Sequence, residues 1–449
     1  MTKRLSRRDF LRLSAAAGAG TMLSAYGSPL GSHLAALPAL AQDKVDLRFI
    51  WWGGQLRADI TTQVIKLFQA KNPNVNFTYE FLSFDDYWTL LTAQAAGDGL
   101  PDIMQHGTTT LAEWSKKDLL HPLDEYITSG VIDFTNIPSV LQNHGKVNDK
   151  IYAVSAGSNA NGIIADLDAF ERAGIDVPPD TWTWGDFEEV VKGLSENLGI
   201  WGFGSYLHHV DLWRIIYSGH NIDLYAPDGK SLNYTDDTPI VDHMKMILRL
   251  QDEDFAIPHI SEESEVNTLG PEAQFIVKGQ CAMDYLAGSN QLVAMWTAAG
   301  EDRHFKILPV PRPEGGRQGL AIRPSQYEAV TVNSANPEVA AMFLNFFIND
   351  VEANKILNAE RGVPINTVVL DALKADAAAP QKAIYDYLAR LAEDSAEFVF
   401  PDPLGVEDIR TNVYYPEFAD PVRYGTKSPE DAAVTLREMS NEILAEANK

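Results

Sequence analysis

From Lys44 to His106 the chain alternates strand, helix, strand, helix, strand, and this order does most to narrow what it can fold into. "KVDLRFIWW" is apolar and rich in strand-forming residues, the pattern of a buried strand. "RADITTQVIKLFQA" follows with Ile60, Val64, Ile65 and Phe68 at helical spacing, and "KNPNV" breaks it. "NVNFTYEFL" reads as a second strand. "SFDDYWTLLTAQAAGDG" reads as a helix capped by Ser83, with acids in the first turn where the helix dipole favours them. "LPDIMQH" reads as a short third strand. Strands joined through helices lie parallel, so this order predicts an α/β layer with a parallel sheet.

The later chain continues in mixed style. "KIYAVSAGSNANGIIADLDAFERAGI" reads as two short strands around a small-residue bend, then a helix. "TWTWGDFEEVVKGLSEN" is a helix with acids at its start, and "PEAQFIVKGQCAMDYLAGS" reads as helix, turn, strand. "RHFKILPVPRPEGG" is a strand entering a Pro/Gly loop. "NPEVAAMFLNFFIND" and "EDAAVTLREMSNEILAEA" are amphipathic helices, the second closing the chain. No internal repeat or low-complexity tract follows residue 42.

At 449 residues the chain exceeds one ordinary core and suits two lobes. It is 45% hydrophobic and 22% charged, a globular balance rather than a disordered one. Its formal charge of −26 repels phosphate backbones and so speaks against a nucleic-acid partner. The same acidity favours a soluble monomer, while a local arginine could still hold an anionic ligand. The single cysteine, Cys281, allows no intramolecular disulfide and no Cys-based zinc site, and its apolar context reads as core.

Residues 1–41 read as an address rather than as part of the fold. "SRRDFLR" precedes an Ala/Gly-rich apolar stretch, and "ALA" at 39–41 supplies small residues at a cleavage point before Gln42. This is the order of a twin-arginine export signal. "LSAYG" has Tyr26 where a lipidated cysteine would stand, so a free periplasmic protein is expected instead of a lipid-anchored one. Beyond this region nothing approaches the roughly 20 apolar residues of a membrane span.

Taken together, several segments resemble the extracellular solute-binding proteins of carbohydrate ABC importers, the maltodextrin-binding-like group. They are "WWGGQLR", "FDDYWTLLTAQAAGDGLPDIMQ", "LLHPLDEYI", "KIYAVSAGSNANGIIADLDAFERAGIDVPPDTWTWGDF", "FIVKGQCAMDYLAGS", "FKILPVPRPEGG", "NSANPEVAAMFLNFFINDVEANKILNAERGVPIN" and the final helix. "TWTW" and "RGVP" are the most diagnostic. The resemblance implies a two-lobed α/β periplasmic-binding-protein fold, with discontinuous lobes joined by hinge segments and the ligand enclosed between them. It places lobe 1 at 43–157 plus 326–352 and lobe 2 at 163–315 plus 353–449. Hinges are expected near 158–162 and 316–325, with a third crossing near "NDVEAN". "WWGG", "FDDYW" and "PDIMQ" also resemble binders of plant cell-wall oligosaccharides, including oligogalacturonides.

Trp51 and Trp52 are consecutive on a strand, so they point to opposite faces. The resemblance puts the cleft at the strand's carboxyl end, which makes Trp52 the candidate stacking surface and Trp51 the candidate core residue. Gly53 and Gly54 would let a ligand approach the backbone. Arg57 sits near a helix N-terminus, where a cation opposes the dipole. It is read as a contact to hydroxyls or a uronate carboxylate, or else as a salt bridge to a nearby acid. Tyr87 and Trp88 are helix neighbours, one to pack and one to face the cleft. His106 ends the third strand and is a candidate hydroxyl ligand or a plain loop histidine. Asn159 and Asn161 lie in the first crossing, as sugar ligands or as turn formers. "HHVDLWR" offers His209, Asp211 and Trp213 to a cleft loop and is a poor metal site. The resemblance adds Asp284, Tyr285, Trp296 and Tyr327 as ligand contacts, and sets Arg361 beside the cleft in a turn.

No metal and no cofactor is expected. A secreted carbohydrate-active enzyme would need two opposed carboxylates, one with a raised pKa. The acid pairs Asp85–Asp86 and Glu262–Glu263 sit instead at a helix start and in an acidic run. No nucleophile elbow, HExxH or phosphate loop is present. The expected function is periplasmic capture of a sugar by hinge closure and its delivery to the permease of an ABC importer, after export by the twin-arginine machinery. A binder of a non-sugar solute such as a glycerol-phosphodiester is the alternative.

Overall fold

The computed structural model describes residues 44–204, 207–258, 269–396 and 402–449. The expected export signal and the pair Glu262–Glu263 lie outside the described residues.

Two sheets organise the chain. The first runs, in spatial order, Val75–Leu82, Val45–Trp52, Ile103–His106, Tyr327–Val330 and Ala153–Ser155. Its first three strands are parallel, in register from Val45 opposite Val75 to Trp52 opposite Leu82, and Phe49 opposite Ile103. The sheet is mixed, because Tyr327–Val330 returns antiparallel between Ile103–His106 and Ala153–Ser155. The second sheet runs Phe305–Leu308, Gly162–Asp166, Cys281–Leu286 and Trp201–Phe203, with only the last pair parallel.

Strand alternation sorts the first strand's side chains onto two cores. Leu47, Phe49 and Trp51 pack with Val64, Ile65 and Phe68 of the helix Gln55–Lys71 and with Phe343 and Phe347 of the helix Pro337–Asn349. Ile50 faces the other way, with Tyr87 and Leu91 of the helix Phe84–Ala96 and Leu111 and Trp114 of the helix Thr108–Lys116. A separate core surrounds the second sheet, with Ile164, Phe187, Met283 and Ile307 among its members. Cys281 is buried there, and burial pushes its thiol well above the usual range.

Local chemistry sets the helix ends. Ser83 Oγ accepts from Asp86 N at 3.3 Å, as a cap should. Thr183 and Asp186 form a reciprocal capping box at the start of Trp184–Leu198. The helix expected in "PEAQFIVKGQ" is only a 3₁₀ turn, Pro271–Ala273. The chain then closes tight backbone turns, Val277 to Gln274 and Gln280 to Phe275, and Gly279 takes positive φ.

Three chain passages lie side by side between the sheets. Ser158–Asn159 pairs antiparallel with Arg323–Pro324. Ser158 also exchanges backbone bonds with Val363, at 2.7 and 2.9 Å. Glycine permits this approach: a Cβ at Gly157 would lie 2.6 Å from Arg361 O, and Gly362 has φ +97 with a Cβ position 2.8 Å from Ser158 O. The third passage comes later than the expected boundary at 353. Ala353, Leu357 and Ile365 all pack in the first sheet's core, because the helix Val351–Leu357 lies against Gln55–Lys71.

Candidate functional site

The loops that follow the parallel strands converge on a cavity of about 850 Å³, which continues into a second part of about 510 Å³. Trp52, Arg57, Phe84, Pro271, Asn290 and Gln291 line both parts. Each of the three parallel strands contributes residues just past its carboxyl end: Gly53–Gly54, Ser83–Asp85 and Gly107–Thr109. Peptides leaving such strands diverge into loops and helix starts, which leaves a crevice there. The facing wall comes from the second sheet's side, through His209–Asp211, the segment after Leu286, and a π-helical stretch, Arg410–Ala419. That stretch brings Arg410 and Tyr415 to the lining, and π turns recur at functional sites.

Trp51 is fully buried, at 0% exposure. Trp52 is half-buried on the cavity wall. Phe84 stands edge-on to Trp52 at 5.4 Å, Tyr87 edge-on at 5.1 Å and Trp88 at 6.0 Å, so an aromatic cluster holds the indole in place. Arg57 Nε donates to Glu360 Oε1 at 2.7 Å and its Nη1 to Trp52 O at 3.2 Å. The salt bridge foreseen as one reading of Arg57 is therefore present, with Arg57 still on the cavity wall. Gly53 serves this side chain: a Cβ there would sit 2.3 Å from Arg57 Cδ, whereas nothing lies within 4 Å of the Cβ position at Gly54. Both glycines line the cavity, and of the two only Gly54 has a clear Cβ position.

Asp211 also lines the cavity. Burial would raise its pKa, but the Arg323 guanidinium at 2.7 Å, with His209 and a hydrogen bond from Asn161, holds it at about 2. Tyr285 reaches the lining with its hydroxyl against Asn161 Nδ2 at 2.9 Å. Asn159 lines the cavity too, yet its amide is used within the protein, donating to Asn290 and accepting from Ser289 and Ala160 N. Asn161 is spent likewise, on Asp211, Tyr285 and Ala287 O.

Several expected contacts lie elsewhere. Tyr87 is core, its hydroxyl donating to Gln105 O at 2.5 Å. His106 is fully buried between Trp88 and Trp114, and burial lowers its pKa to about 3. Trp88 backs Trp52 without reaching the cavity lining. Trp213 is core, stacked on Tyr414 and donating to Tyr234 at 3.1 Å. Trp296 packs edge-on against Phe305. Tyr327 sits mid-sheet between His106 and Ser155. Asp284 is buried in its strand and accepts from Tyr285 N at 2.8 Å. Arg361 lies inside the first lobe at 1% exposure, donating to Gln105 and Thr61, with Glu328 at 3.7 Å. Burial raises Glu328 to about 7 even beside Arg361 and Arg57.

Phe84, Arg323, Glu360, Arg410 and Tyr415 were not legible in the sequence. Phe84 had one signal, a large apolar residue in the first turn after a cap; it is 38% exposed. The others come from segments hundreds of residues away and gave none.

A cleft walled by strand-end loops of one lobe and by helices of another, with aromatic shelves and ion-paired polar groups, defines a two-lobed solute-binding protein. Residues 54–353 match the family of bacterial extracellular solute-binding proteins, and the chain belongs to that family. It is 26% identical over 156 residues to a multiple sugar-binding protein of Streptococcus mutans, a match spanning 34% of each chain, so about a third of that curated relative's length. In fold it is similar to a periplasmic oligogalacturonide binding protein from Yersinia enterocolitica solved with saturated digalacturonic acid. The TM-score is 0.77 at 21% identity, covering 90% of this chain and 100% of that one. It is also similar to an ABC substrate-binding protein from Listeria monocytogenes in complex with cycloalternan, at TM-score 0.75 and 20% identity, covering 89% and 99%. Among the described residues no helix is long and apolar enough to cross a membrane.

Proposed function

We propose that this protein captures an oligosaccharide in the periplasm and delivers it to the permease of an ABC importer by closing its lobes on the ligand. The observation that carries the reading is the cavity of about 850 Å³ with Trp52 on its wall beside the ion pair Arg57–Glu360. Sugar C–H faces stack on flat aromatic rings, and hydroxyls need donors and acceptors together. The volume suits more than one sugar ring. The multiple sugar-binding relative supports the same class.

Closure would turn on the passages at Ser158–Asn159, Arg323–Pro324 and Val363. Only a ligand that touches both lobes favours the closed state. The expected route is export through the twin-arginine machinery, with the protein acting as a monomer. Capture is favoured over hydrolysis, because Asp211 is held near 2 and so makes a poor proton donor.

A thermal-shift screen tests the reading. A rise in Tm with an oligosaccharide supports it. A rise only with a glycerol-phosphodiester or peptide overturns the sugar class, and release of reducing ends would indicate an enzyme. Plant cell-wall fragments, oligogalacturonides included, belong in the screen, because the Yersinia protein of this fold holds digalacturonic acid.

A further inference from the structure

The cations of the cleft already have counter-charges. Arg57 is paired with Glu360 at 2.7 Å and Arg323 with Asp211 at 2.7 Å. Arg410 is paired with Glu407 at 2.5 Å. Arg423 lies 3.9 Å from Asp420 and donates to His208 at 2.7 Å. These four arginines are the only Lys or Arg lining either part of the cavity among the described residues. Residues 205–206, 259–268 and 397–401 contain no Lys or Arg, so they bring no further cation. Asp85 and Glu272 also line the cavity, which leaves its carboxylates in surplus. His209 adds no charge near neutral pH, since burial lowers its pKa.

Two helix starts, at Gln55 and Thr108, open on the cleft without side-chain caps. Each carries about half an elementary positive charge. Two more helices, at Phe84 and Val210, start on the cleft behind the caps Ser83 and His209. The four starts together balance the two surplus carboxylates and leave no net positive charge, on a chain whose formal charge is −26. A carboxylate or phosphate entering here would meet arginines whose charge is already balanced, together with the further carboxylates Asp85 and Glu272. A hydroxyl meets something different. Each Arg–carboxylate pair sets an N–H donor beside an oxygen acceptor, which matches a group that donates and accepts at once.

We infer that the ligand of this cleft is a neutral oligosaccharide, and that uronides and phosphorylated sugars are rejected by charge. This rests on the reading that the cleft binds sugar.

Calorimetric titration of residues 44–449, which form one compact unit, tests it. The ligands are neutral di- and trisaccharides (maltose, cellobiose, xylobiose, galactobiose and their trimers), set against digalacturonate and glucose 6-phosphate. The expected result is binding of a neutral sugar, with Kd changing less than twofold between 50 and 500 mM NaCl and charged sugars at least 100-fold weaker. Glu360→Gln, which frees Arg57, should then strengthen digalacturonate binding at least tenfold, and Asp211→Asn, which frees Arg323, provides the same test at a second pair. Digalacturonate binding as tightly as every neutral sugar would overturn the inference and leave the sugar reading standing. Binding of no saccharide would overturn both. No gain in either variant would overturn the role given to the paired arginines.

Discussion

Two adjacent tryptophans part company because a strand turns each successive side chain to the opposite face. Trp51 fills a core between two helices, and Trp52 borders the cleft. Trp51→Ala should cost about 3–5 kcal/mol in urea unfolding, the range for a large buried aromatic. Trp52→Ala should keep most of the stability and lose at least tenfold in sugar affinity. A collapsed melting temperature in the second variant would make Trp52 a core residue. The same alternation accounts for the misplaced contacts. His106 and Asp284 were assigned to the cleft because they stand near strand ends, yet both are enclosed by neighbouring strands and helices. The residues that line the cavity begin one position past His106, at Gly107, and one past Asp284, at Tyr285. Burial of His106 has a pH consequence. The folded chain keeps its imidazole neutral down to about pH 3, while the unfolded chain takes up a proton below about 6.5. Stability is therefore full above pH 6.5 and declines as the pH falls toward 3. His106 alone should remove about 1.4 kcal/mol between pH 7.5 and 5.5, and His106→Leu should flatten that slope in urea titrations.

Individual elements follow the sequence where their signals are local. Ser83, with its acids, starts a helix where it was expected, and the helix read in "TWTWGDFEEVVKGLSEN" is opened by a capping box of Thr183 and Asp186. "PEAQFIVKGQ" did not become a helix, since Gly270 just before it and Gly279 near its end take positive φ, and tight turns close the backbone bonds within it. The three passages between the lobes depend on contacts rather than on patterning. Gly362 holds φ +97 against Ser158 O. Gly362→Ala should cost about 2 kcal/mol or more, from left-handed strain and steric conflict together, and thermal unfolding measures it. If its melting temperature matched the wild type, the close approach of the passages would not matter to stability.

Across the whole molecule, the lobes meet at the cleft mouth as well as at the passages. Thr109 Oγ1 donates to Glu407 Oε2 at 2.9 Å, and Arg410 lies 5.5 Å over the Phe84 ring. If the lobes close as proposed, contacts of this kind add to the closed state's share of the population. Glu407→Gln should weaken apparent ligand affinity about threefold while leaving thermal stability without ligand nearly unchanged, because a closed state populated less often lowers apparent affinity in proportion. Small-angle scattering should show a smaller radius of gyration on saturation with ligand. An unchanged radius would argue for a cleft that does not close.

The sequence alone determined the α/β class, the parallel start of the first sheet, the Ser83 helix cap and the different faces of Trp51 and Trp52. Each depends on spacing or on contacts a few residues apart, which the chain carries in plain order. Tertiary structure alone decided which polar groups meet in the cleft. Arg57 meets Glu360 across 303 residues, and Arg323 meets Asp211 across 112. No periodicity encodes such a meeting, and a charge reads differently once its partner is known. Arg57, taken from the chain as a possible grip on a carboxylate, already holds one belonging to the protein.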